Sequence, residues 1–376
     1  MIKIFFLIRS LNVGGAEQQL LELVRGLDKS RFNINVGLFY DEGMLREELH
    51  GMQGVRLLPL GKLGRWDLLA FGLRLARLLR KLKPDVLYSF LPEANLTGLI
   101  AGRLARVPRI VWGLRASNMD VKHYHWSFGA TLQICSWLSS FPDAIISNSA
   151  AAIKSHKKLG FKTIKITVIP NGIDTKRFEH DETAGYKVRR EWGVLDDEIL
   201  IGSVARLDPM KDHSTFLRAA RIFLDYSDKV RFVCVGYAQE PYKSKMVDLG
   251  NRLGLNEHLI WNEARKDMTA VYNALDIVTS SSAYGEGFPN VIGEAMACGV
   301  PCVVTDVGDS ARIVGSVGIT VPSENPKALA DGWRNMLKRL NDKSYSIKEM
   351  TRARIVSHYN SEIFIQKTSR MFLSLL

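Results

Sequence analysis

The stretch YGEGFPNVIGEAMACGVPCVVTDVGD, residues 284–309, decides the fold of this chain. The strand-like run Ile277–Ser280 ends shortly before it, and a second run, Pro301–Val304, lies within it. Between these runs, Pro289 is a favourable first residue for a helix, and Gly299 is typical of the position just beyond a helix end. The order strand, helix, strand predicts a parallel α/β unit whose strands are buried on both faces.

The same alternation of apolar runs and helical patterns continues along the whole chain and predicts an α/β fold with parallel sheets. In the first half the predicted strands are Ile2–Ile8, Asn33–Phe39, Val55–Pro59, Val86–Phe90, Ile110–Gly113, Ala144–Ser147 and Ile166–Ile169. In the second half they are Ile199–Val204, Arg231–Val235, Leu259–Trp261, Ile277–Ser280, Pro301–Val304 and Gly318–Val321.

The length of 376 residues suits two domains of about 150 to 200 residues each. Pro170 and the pair Asn171-Gly172 predict a turn or hinge, so we place the boundary of the first domain, 1–172, there. Open α/β sheets bind ligands at the carboxyl ends of their strands. We therefore expect two such domains to face each other across a cleft.

The net charge of +12 is distributed unevenly. Residues 1–172 contain 24 Lys or Arg and 12 Asp or Glu, whereas residues 173–376 contain 27 of each. An anionic partner of the first half would explain the excess, whether lipid headgroups, a phosphorylated acceptor or nucleic acid. A basic surface that only keeps the protein soluble is the alternative.

The segment Arg65–Lys83 predicts a basic amphipathic helix, with leucines at helical spacing and five basic residues between Arg74 and Lys83. Such a helix can lie on an anionic membrane, or it can pack on its own sheet with a solvated outer face. No apolar run approaches the roughly 18 residues of a transmembrane helix. The opening run, Met1–Arg9, is interrupted by charge and reads as a buried strand rather than a signal peptide.

The four cysteines are too scattered for a zinc site, and no histidine stands at ligand spacing beside the closest pair, Cys298 and Cys302. Free cysteines fit a reducing compartment, so we expect a cytoplasmic protein.

Two glutamates, Glu286 and Glu294, stand in the opening stretch among glycines and small apolar residues. The predicted helix would direct the N–H groups of Asn290 and Val291 out of the carboxyl edge of the sheet, where a phosphate can bind. The carboxylates would flank that anion site, and their natural partners are the hydroxyls of a ribose or a hexose. A helix-capping role would account for one glutamate but not for both.

A second group of residues follows another predicted strand, in IGSVARLDPMKD, residues 201–212. Arg206 stands at the carboxyl end of that strand, and Lys211 follows five residues later. Two cations at one point suit a diphosphate. Arginine and lysine at this spacing are more often two solvated charges. The diphosphate interpretation therefore depends on the second predicted anion site in the same domain.

Gly14 and Gly15 follow the first predicted strand and open a helix near Ala16. Paired glycines let the backbone approach a ligand closely, although a plain tight turn is the alternative. The pattern is not the G-x-G-x-x-G signature of dinucleotide-binding folds.

These residues resemble the E-x7-E signature of the retaining glycosyltransferases of family 4, which have the GT-B fold of two Rossmann-like domains. The paired glutamates followed by EAMACGVP are the most specific part, and VARLDPMKD, IPNGID, VGGAEQQL and KPDVLYSFLPEANLTGLIAGRLARVP match other parts of the pattern. The resemblance extends from the first strand to about residue 330. It implies an acceptor-binding domain 1–172, a nucleotide-sugar-binding domain 173–358, and a final helix within 359–376 that crosses back to the first domain.

The resemblance also implies roles for individual residues. Glu294 would bind the ribose, Arg206 and Lys211 the diphosphate, and Glu286 the donor sugar near the reacting carbon. Gly14 and Gly15 would close over the diphosphate. The backbone of the loop and helix start would hold sugar and phosphate, a set comprising Phe288, Pro289, Asn290 and Val291.

One position departs from the family pattern. Many members carry a histidine after a first-domain strand, where this chain has Arg115 in IVWGLRASN, residues 110–118. Arg115 or Asn118 is therefore the candidate sugar or acceptor contact of the first domain. No Asp-x-Asp motif is present, in agreement with a mechanism that uses no metal ion or other cofactor.

The function that the resemblance implies is transfer of a sugar from a nucleotide-sugar, UDP-linked in our prediction, to a glycan or lipid-linked acceptor. The products would be bacterial-type surface polysaccharide, lipopolysaccharide or related glycoconjugates, made in the cytoplasm or on the inner face of the cytoplasmic membrane. A sugar-nucleotide epimerase or a glycan phosphorylase with the same fold is the alternative. A nucleic-acid-binding protein without catalysis is disfavoured because no recognition motif is present.

Overall fold

The computed structural model describes residues 1–64, 66–117, 126–342 and 346–376. These residues form two compact units. Unit 1 comprises Met1–Gly172 and Ser361–Leu376, and unit 2 comprises Ile173–Asn360.

Unit 1 is built on a parallel sheet of seven strands in the order β3-β2-β1-β4-β5-β6-β7. Its strands are β1 Ile2–Ile8, β2 Phe32–Leu38, β3 Val55–Pro59, β4 Val86–Phe90, β5 Arg109–Leu114, β6 Ala144–Ser147 and β7 Ile166–Val168. Unit 2 has a parallel sheet of six strands in the order β10-β9-β8-β11-β12-β13. Its strands are β8 Ile199–Val204, β9 Val230–Val235, β10 Leu259–Asn262, β11 Ile277–Ser280, β12 Cys302–Thr305 and β13 Ile319–Val321.

Helices connect the successive strands, and in the described part of the chain three further helices follow the last strand, β13. Those of unit 1 are α1 Gly15–Gly26, α2 Arg46–His50, α3 Leu69–Leu82, α4 Pro92–Ala105, α5 Trp126–Leu138 and α6 Ala150–Lys158. Those of unit 2 are α7 Glu182–Glu191, α8 His213–Leu224, α9 Tyr242–Arg252, α10 Met268–Ala274, α11 Asn290–Ala297, α12 Ser310–Val314, α13 Pro326–Asn341 and α14 Ile347–His358. The last helix, α15 Ser361–Leu375, belongs to unit 1.

The sequence prediction of the strands is confirmed. All thirteen predicted strands are present, and each end lies within one residue of its predicted position. The signal is strong because a parallel strand is buried on both faces and therefore reads as an uninterrupted apolar run. In β1, for example, Ile4, Phe6 and Ile8 enter one core cluster and Phe5 and Leu7 enter another, on the opposite face of the sheet.

The two faces of the unit 1 sheet carry different helices. One core cluster includes Leu20 and Leu23 of α1 together with Phe364 and Phe372 of α15. The other cluster includes residues of α3, α4 and α5, such as Leu75, Leu99 and Leu132. Helices α3, α4 and α5 therefore cover one face of the sheet, with α4 between its two neighbours.

The predicted helix Arg65–Lys83 is shorter than expected. Arg65 lies outside the described residues, and α3 begins only at Leu69. Asp67 lies one residue before the N-cap, Leu68, and its carboxylate oxygens accept hydrogen bonds from the backbone N–H groups of Leu63 at 2.9 Å and Phe71 at 3.1 Å. An acidic side chain that accepts from the first turn in this way marks the start of a helix.

Candidate active site

The residues predicted for the second domain follow two neighbouring strands of the unit 2 sheet. Arg206 and Lys211 follow β8, and Glu286 follows β11. Strand order reverses between β8 and β11, because the chain builds outward from β8 in one direction and from β11 in the other. Ligands of open α/β sheets bind at the carboxyl ends of the strands at such a reversal.

The loop that carries Glu286 is held in place through its backbone carbonyls, which accept hydrogen bonds from β12 and the turn after it. Asp309 donates its N–H to the carbonyl of Gly287 at 2.9 Å, and Thr305 donates its hydroxyl to the carbonyl of Ser282 at 2.7 Å. Gly308 has a φ of +63°, and a Cβ there would lie 2.6 Å from the Glu286 carbonyl oxygen. A glycine is therefore required where the β12–α12 turn supports the Glu286 loop.

The side chain of Glu286 forms a small polar cluster with Lys211 and Ser282. The Lys211 ammonium group forms an ion pair with Glu286 Oε1, and the Ser282 hydroxyl donates to the same oxygen at 2.7 Å. The Glu286 residue is only 6% exposed, so this charge pair is largely shielded from water. Ser281 completes the connection by donating its hydroxyl to the Lys211 carbonyl at 2.8 Å.

Arg206 and Lys211, which we expected at one anion site, bond different carboxylates. The exposed Arg206 guanidinium forms an ion pair with Asp208 at 3.0 Å, whereas Lys211 is bonded to Glu286. The Asp208 side chain also accepts from the N–H of Met210 at 3.0 Å, which caps the short turn containing Lys211. Each cation is therefore oriented by a carboxylate beside it.

Helix α11 begins at Asn290, and Pro289 is its N-cap rather than its first residue. The helix ends at Ala297, and Gly299 follows with a φ of +83°, as the sequence predicted for its carboxyl end. Phe288 is buried beside the helix start and packs edge-on against Tyr359, with ring centres 5.3 Å apart. The positive end of the helix dipole thus lies directly after the Glu286 loop.

Glu294 lies in the second turn of α11 and is 9% exposed. The Tyr272 hydroxyl donates a hydrogen bond of 2.6 Å to Glu294 Oε2. Burial raises the pKa of the Glu294 carboxyl, an effect that the Tyr272 hydrogen bond partly opposes. One oxygen of Glu294 is thus positioned by a buried phenol.

In unit 1, Gly14 is the N-cap of α1 and Gly15 is the first residue of this helix, after the carboxyl end of β1. Gln19 of the same helix holds the end of the unit with two hydrogen bonds of 2.8 Å, one to the carbonyl and one from the N–H of Gly172. Because β1 and β4 are neighbours at the point where the strand order reverses, Gly14 and Gly15 lie at that reversal.

Arg115 follows the carboxyl end of β5, next to β4. Its guanidinium donates to the Tyr88 hydroxyl at 2.7 Å and to Asn171 Oδ1 at 3.2 Å, and it lies 4.6 Å from the centre of the Phe90 ring. Within the described residues no carboxylate forms an ion pair with Arg115. Asn118, the other candidate of this segment, lies outside the described residues.

Sequence reasoning missed Tyr272 and Ser282, which bond the two glutamates. Tyr272 stands in α10, and only its helical position beside small residues could have indicated that it faces α11. Ser282 follows the predicted strand Ile277–Ser280 by two residues, so a hydroxyl just beyond the carboxyl end of a strand was the available signal. Neither signal is specific without the fold.

Comparisons with known proteins identify the family of this chain. Residues 13–177 match Glycosyltransferase Family 4, and residues 198–339 match Glycosyl transferases group 1. The chain belongs to glycosyltransferase family 4. The prediction of a glycosyltransferase is therefore confirmed, and the epimerase or phosphorylase alternative is not favoured.

Two curated relatives of this family 4 enzyme cover most of its length. It is 25% identical over 319 residues to the UDP-Gal:alpha-D-GlcNAc-diphosphoundecaprenol alpha-1,3-galactosyltransferase of Escherichia coli, covering 80% of this chain and 78% of that protein. It is 26% identical over 369 residues to the N-acetylgalactosamine-N,N'-diacetylbacillosaminyl-diphospho-undecaprenol 4-alpha-N-acetylgalactosaminyltransferase of Campylobacter jejuni, covering 94% of this chain and 95% of that protein.

A solved structure shows the same fold. HepE of Anabaena, in complex with UDP-glucose, superposes with a TM-score of 0.86 at 23% identity, covering all of both chains. The GT-B fold that the sequence predicted is thereby confirmed. Among the helices formed by the described residues, none is long and apolar enough to cross a membrane.

Proposed function

We propose that this glycosyltransferase moves a sugar from a UDP-sugar to a glycan or lipid-linked acceptor, with retention of anomeric configuration and without a metal ion. Support for the donor comes from HepE, which was solved with UDP-glucose, and from the E. coli relative, which is named for UDP-Gal. Support for the acceptor comes from both curated relatives, which are named for sugars on diphosphoundecaprenol carriers. The products would be surface polysaccharide, lipopolysaccharide or a related glycoconjugate.

The observation that carries the proposal is the buried cluster of Lys211, Glu286 and Ser282, beside the start of α11 at the strand reversal. A cation, a carboxylate and a helix amino terminus at one place suit a ligand that is anionic at one end and rich in hydroxyls at the other. A sugar diphosphate has this distribution of charge. Glu286 would accept hydrogen bonds from the donor sugar, and Lys211 would face the diphosphate.

Glu294 would bind the nucleotide. Its Oε2 is held by Tyr272, and a carboxylate fixed in this way is suited to accept hydrogen bonds from ribose hydroxyls. We assign the backbone around the helix start, Phe288 to Val291, to the sugar and phosphate. Arg206 would add a second positive charge at the diphosphate, after turning from Asp208.

The transfer follows from these positions. The bond between the anomeric carbon and the diphosphate oxygen breaks, and its electron pair leaves with the diphosphate. Lys211, Arg206 and the α11 dipole stabilise the negative charge that develops there. The acceptor hydroxyl oxygen then forms the new bond on the same face of the sugar, and its proton passes to the departing phosphate oxygen.

Unit 1 would bind the acceptor, since residues 1–172 carry the whole excess of positive charge and Arg115 has no carboxylate partner within the part of the chain that the structure describes. A lipid-linked acceptor resides in a membrane, so we propose that the enzyme works in the cytoplasm as a peripheral protein of the inner face of the cytoplasmic membrane. The basic surface of unit 1 is suited to anionic headgroups.

The donor is tested by a thermal-shift screen of UDP-, GDP- and ADP-sugars on the purified chain. A ligand that binds the folded protein stabilises it by mass action, so we expect UDP-sugars to raise the Tm most. Glu263→Gln, which changes a carboxylate that is 94% exposed in the same unit, is the matched control for the Glu294→Ala variant. Equal shifts with Glu294→Ala and with the control would contradict the nucleotide site.

Retention and metal independence are tested separately. Proton NMR of the first product formed should show the anomeric configuration of the donor. Activity should persist in EDTA after the protein has been freed of divalent ions. An inverted product, or activity that returns only with an added divalent ion, would overturn that part of the proposal.

A further inference from the structure

Helix α5 has an unusual outer side. Its sequence, WSFGATLQICSWL, contains no charged residue, and the uncharged run continues through residue 142. Leu132 and Cys135 are buried against the sheet, whereas Trp126 and Trp137 are each 71% exposed. A helix on the surface of a soluble domain normally presents charged residues to water. The exposed side of α5 presents apolar and uncharged residues instead.

The neighbouring helices share this property. We define the outer face of α3–α5 by exposed apolar residues on one side of the unit 1 sheet: Leu69 and Leu73 of α3, Ile100 and Leu104 of α4, Trp126, Ile134 and Trp137 of α5, and the adjoining Trp66 and Phe141. Arg103 donates to the Phe141 carbonyl at 2.5 Å, and this bond joins α4 to the segment that follows α5. All three exposed tryptophans in the described part of the chain lie on this face.

The concentration of exposed apolar side chains is not general. Among the described residues 23 large apolar side chains are exposed, and 11 of them fall between residues 63 and 141. On the opposite face of the same sheet, α1 exposes no large apolar side chain and α15 exposes only Leu373 among the described residues. Isolated apolar residues on a surface need no explanation, but a face built from three adjacent helices indicates a partner.

Charge identifies the kind of partner. Four exposed basic residues lie on α3 and just beyond the carboxyl ends of α3 and α4, and none forms an ion pair with another described residue: Arg77, Lys81, Lys83 and Arg106. The acidic residues of the face are neutralised, since Asp67, Glu93 and Asp143 each lie beside an arginine.

The carboxyl ends of α3 and α4 also form a basic groove. It has a volume of about 580 Å³, and its lining includes Arg80, Lys83 and Arg106 with one carboxylate, Asp85. A groove with three cations is of a size and charge to hold a phosphate headgroup.

We propose that the outer face of α3–α5 lies in the interfacial layer of an anionic phospholipid membrane. Tryptophans prefer the level of the headgroups, apolar side chains enter the acyl boundary, and the surrounding cations neutralise anionic lipids. A second copy of the chain is the weaker occupant, because a symmetric pair would bring the same unpaired cations together. The inference rests on the proposed function only in that a lipid-linked acceptor gives membrane binding a purpose.

The test is flotation of the full chain with vesicles of phosphatidylglycerol and phosphatidylethanolamine, against vesicles of phosphatidylcholine alone. We expect binding to the anionic vesicles, which 0.5 M salt, on the order of a 4 Å screening length, weakens. Trp126→Ser and Trp137→Ser should each lower the partition coefficient by about tenfold. The double variant Arg77→Gln with Lys81→Gln should lower it by about 30-fold.

Matched controls separate this inference from the proposed function. Tyr237→Ser removes an aromatic side chain of unit 2 that is 59% exposed, and Lys266→Gln removes an exposed charge there; both should bind vesicles normally. All face variants should keep the UDP-sugar thermal shift and the transfer to a water-soluble acceptor. If vesicles bind normally while the donor shift is absent, only the proposed function fails.

Two outcomes would overturn the membrane assignment. One is a wild-type chain that does not bind anionic vesicles, or face variants that bind as well as wild type. The other is a dimer in light-scattering measurements that Trp137→Ser converts to a monomer while vesicle binding is absent, which would assign the face to a second copy.

Discussion

The carboxyl edges of the two sheets differ in how their charges are compensated. In unit 2, Lys211 bonds Glu286 and Arg206 bonds Asp208, while Glu294 accepts from a buried phenol. In unit 1, Arg115 has a hydroxyl, an amide oxygen and an aromatic ring around it, and no carboxylate partner among the described residues. A paired charge is positioned by its partner, whereas a half-buried charge with no carboxylate beside it among the described residues gains most from an anionic ligand.

We propose, from this difference, separate roles for the two edges. The unit 2 edge holds its functional groups in fixed relative positions, which suits the chemistry of a reacting centre. The unit 1 edge offers a positive charge in a half-buried setting, which suits recognition of an anionic substrate group. Variants at each edge test this division.

The largest effect should come from the Lys211–Glu286 pair. Glu286→Gln or Lys211→Met removes a group that we propose to act at the reacting centre, so kcat should fall by about 10²- to 10³-fold. Because each group positions the other, the double variant should lose little more than either single variant. Initial rates at saturating donor measure the change.

The control for this prediction is Glu263→Gln with Lys266→Met, which alters exposed groups of the same types in the same unit. Thermal melting would show whether the variants fold. Fully additive losses in folded protein would show that the two groups act independently, and unchanged rates would remove the pair from the reaction.

The second prediction separates binding from transfer within unit 2. Glu294→Ala should weaken UDP binding by about 10- to 100-fold, the worth of one or two hydrogen bonds to a charged group, with kcat nearly unchanged. Tyr272→Phe keeps the carboxylate but removes its 2.6 Å hydrogen bond, so we expect a smaller loss of affinity. Isothermal titration with UDP measures both.

The result would contradict the division if Tyr272→Phe weakened UDP binding more than Glu294→Ala. It would also contradict it if Glu294→Ala lowered kcat as strongly as Glu286→Gln. In either case the two glutamates would not have the separate roles that their surroundings suggest.

The third prediction concerns the pH dependence of stability. His213, at the start of α8, is fully buried, and neither ring nitrogen has a hydrogen-bond partner within the described residues. Burial, with a smaller contribution from Lys211, lowers its pKa to about 4. As the pH falls through 6.5, His213 becomes protonated in the unfolded chain but stays neutral in the folded chain. The contribution of this residue to the free energy of unfolding is therefore fully present above pH 6.5 and is lost as the pH decreases toward 4.

Between pH 7 and pH 5 this group should cost about 2 kcal/mol of the free energy of unfolding. Glu294, whose pKa is raised by burial, acts in the opposite direction, since it favours the folded state at low pH. Urea denaturation of His213→Leu against wild type isolates the histidine, because wild type should lose that much more of its free energy of unfolding than the variant as the pH falls. The exposed His180→Leu is the control, and equal slopes for both variants would refute the assignment.

The sequence predicted the parts of the molecule that depend on local pattern. The strands were found because burial on both faces gives an unbroken apolar run, and the end of α11 because Gly299 has a left-handed φ. The start of α3 was missed, and the hydrogen bonds of a single side chain, Asp67, mark it. Propensity and periodicity do not contain that information.

The partners of the site residues were beyond reach for a different reason. Glu286 and Lys211 are 75 positions apart and meet only because β8 and β11 are neighbours in the sheet. Tyr272 reaches Glu294 from a different helix. A chain read in order shows which chemical groups are available, whereas the strand order decides which of them touch.

The smallest expected effect belongs to Arg115, and it tests unit 1 directly. Arg115→Lys keeps the charge but loses the planar fork that now spans Tyr88 and Asn171, so kcat/KM for a diphosphate-linked acceptor should fall by about tenfold. UDP binding should not change. Arg31→Lys, at an exposed position of the same unit, is the matched control.

An acceptor of the same sugar without the diphosphate decides what the charge recognises. Arg115→Leu should lower transfer to the diphosphate-linked acceptor and leave transfer to the uncharged one within about twofold, because only the former presents an anion to the guanidinium. Equal losses on both acceptors would mean that Arg115 contacts the sugar, in the manner of the histidine it replaces. Both edges would then act on the sugar, and neither would recognise the acceptor's charge.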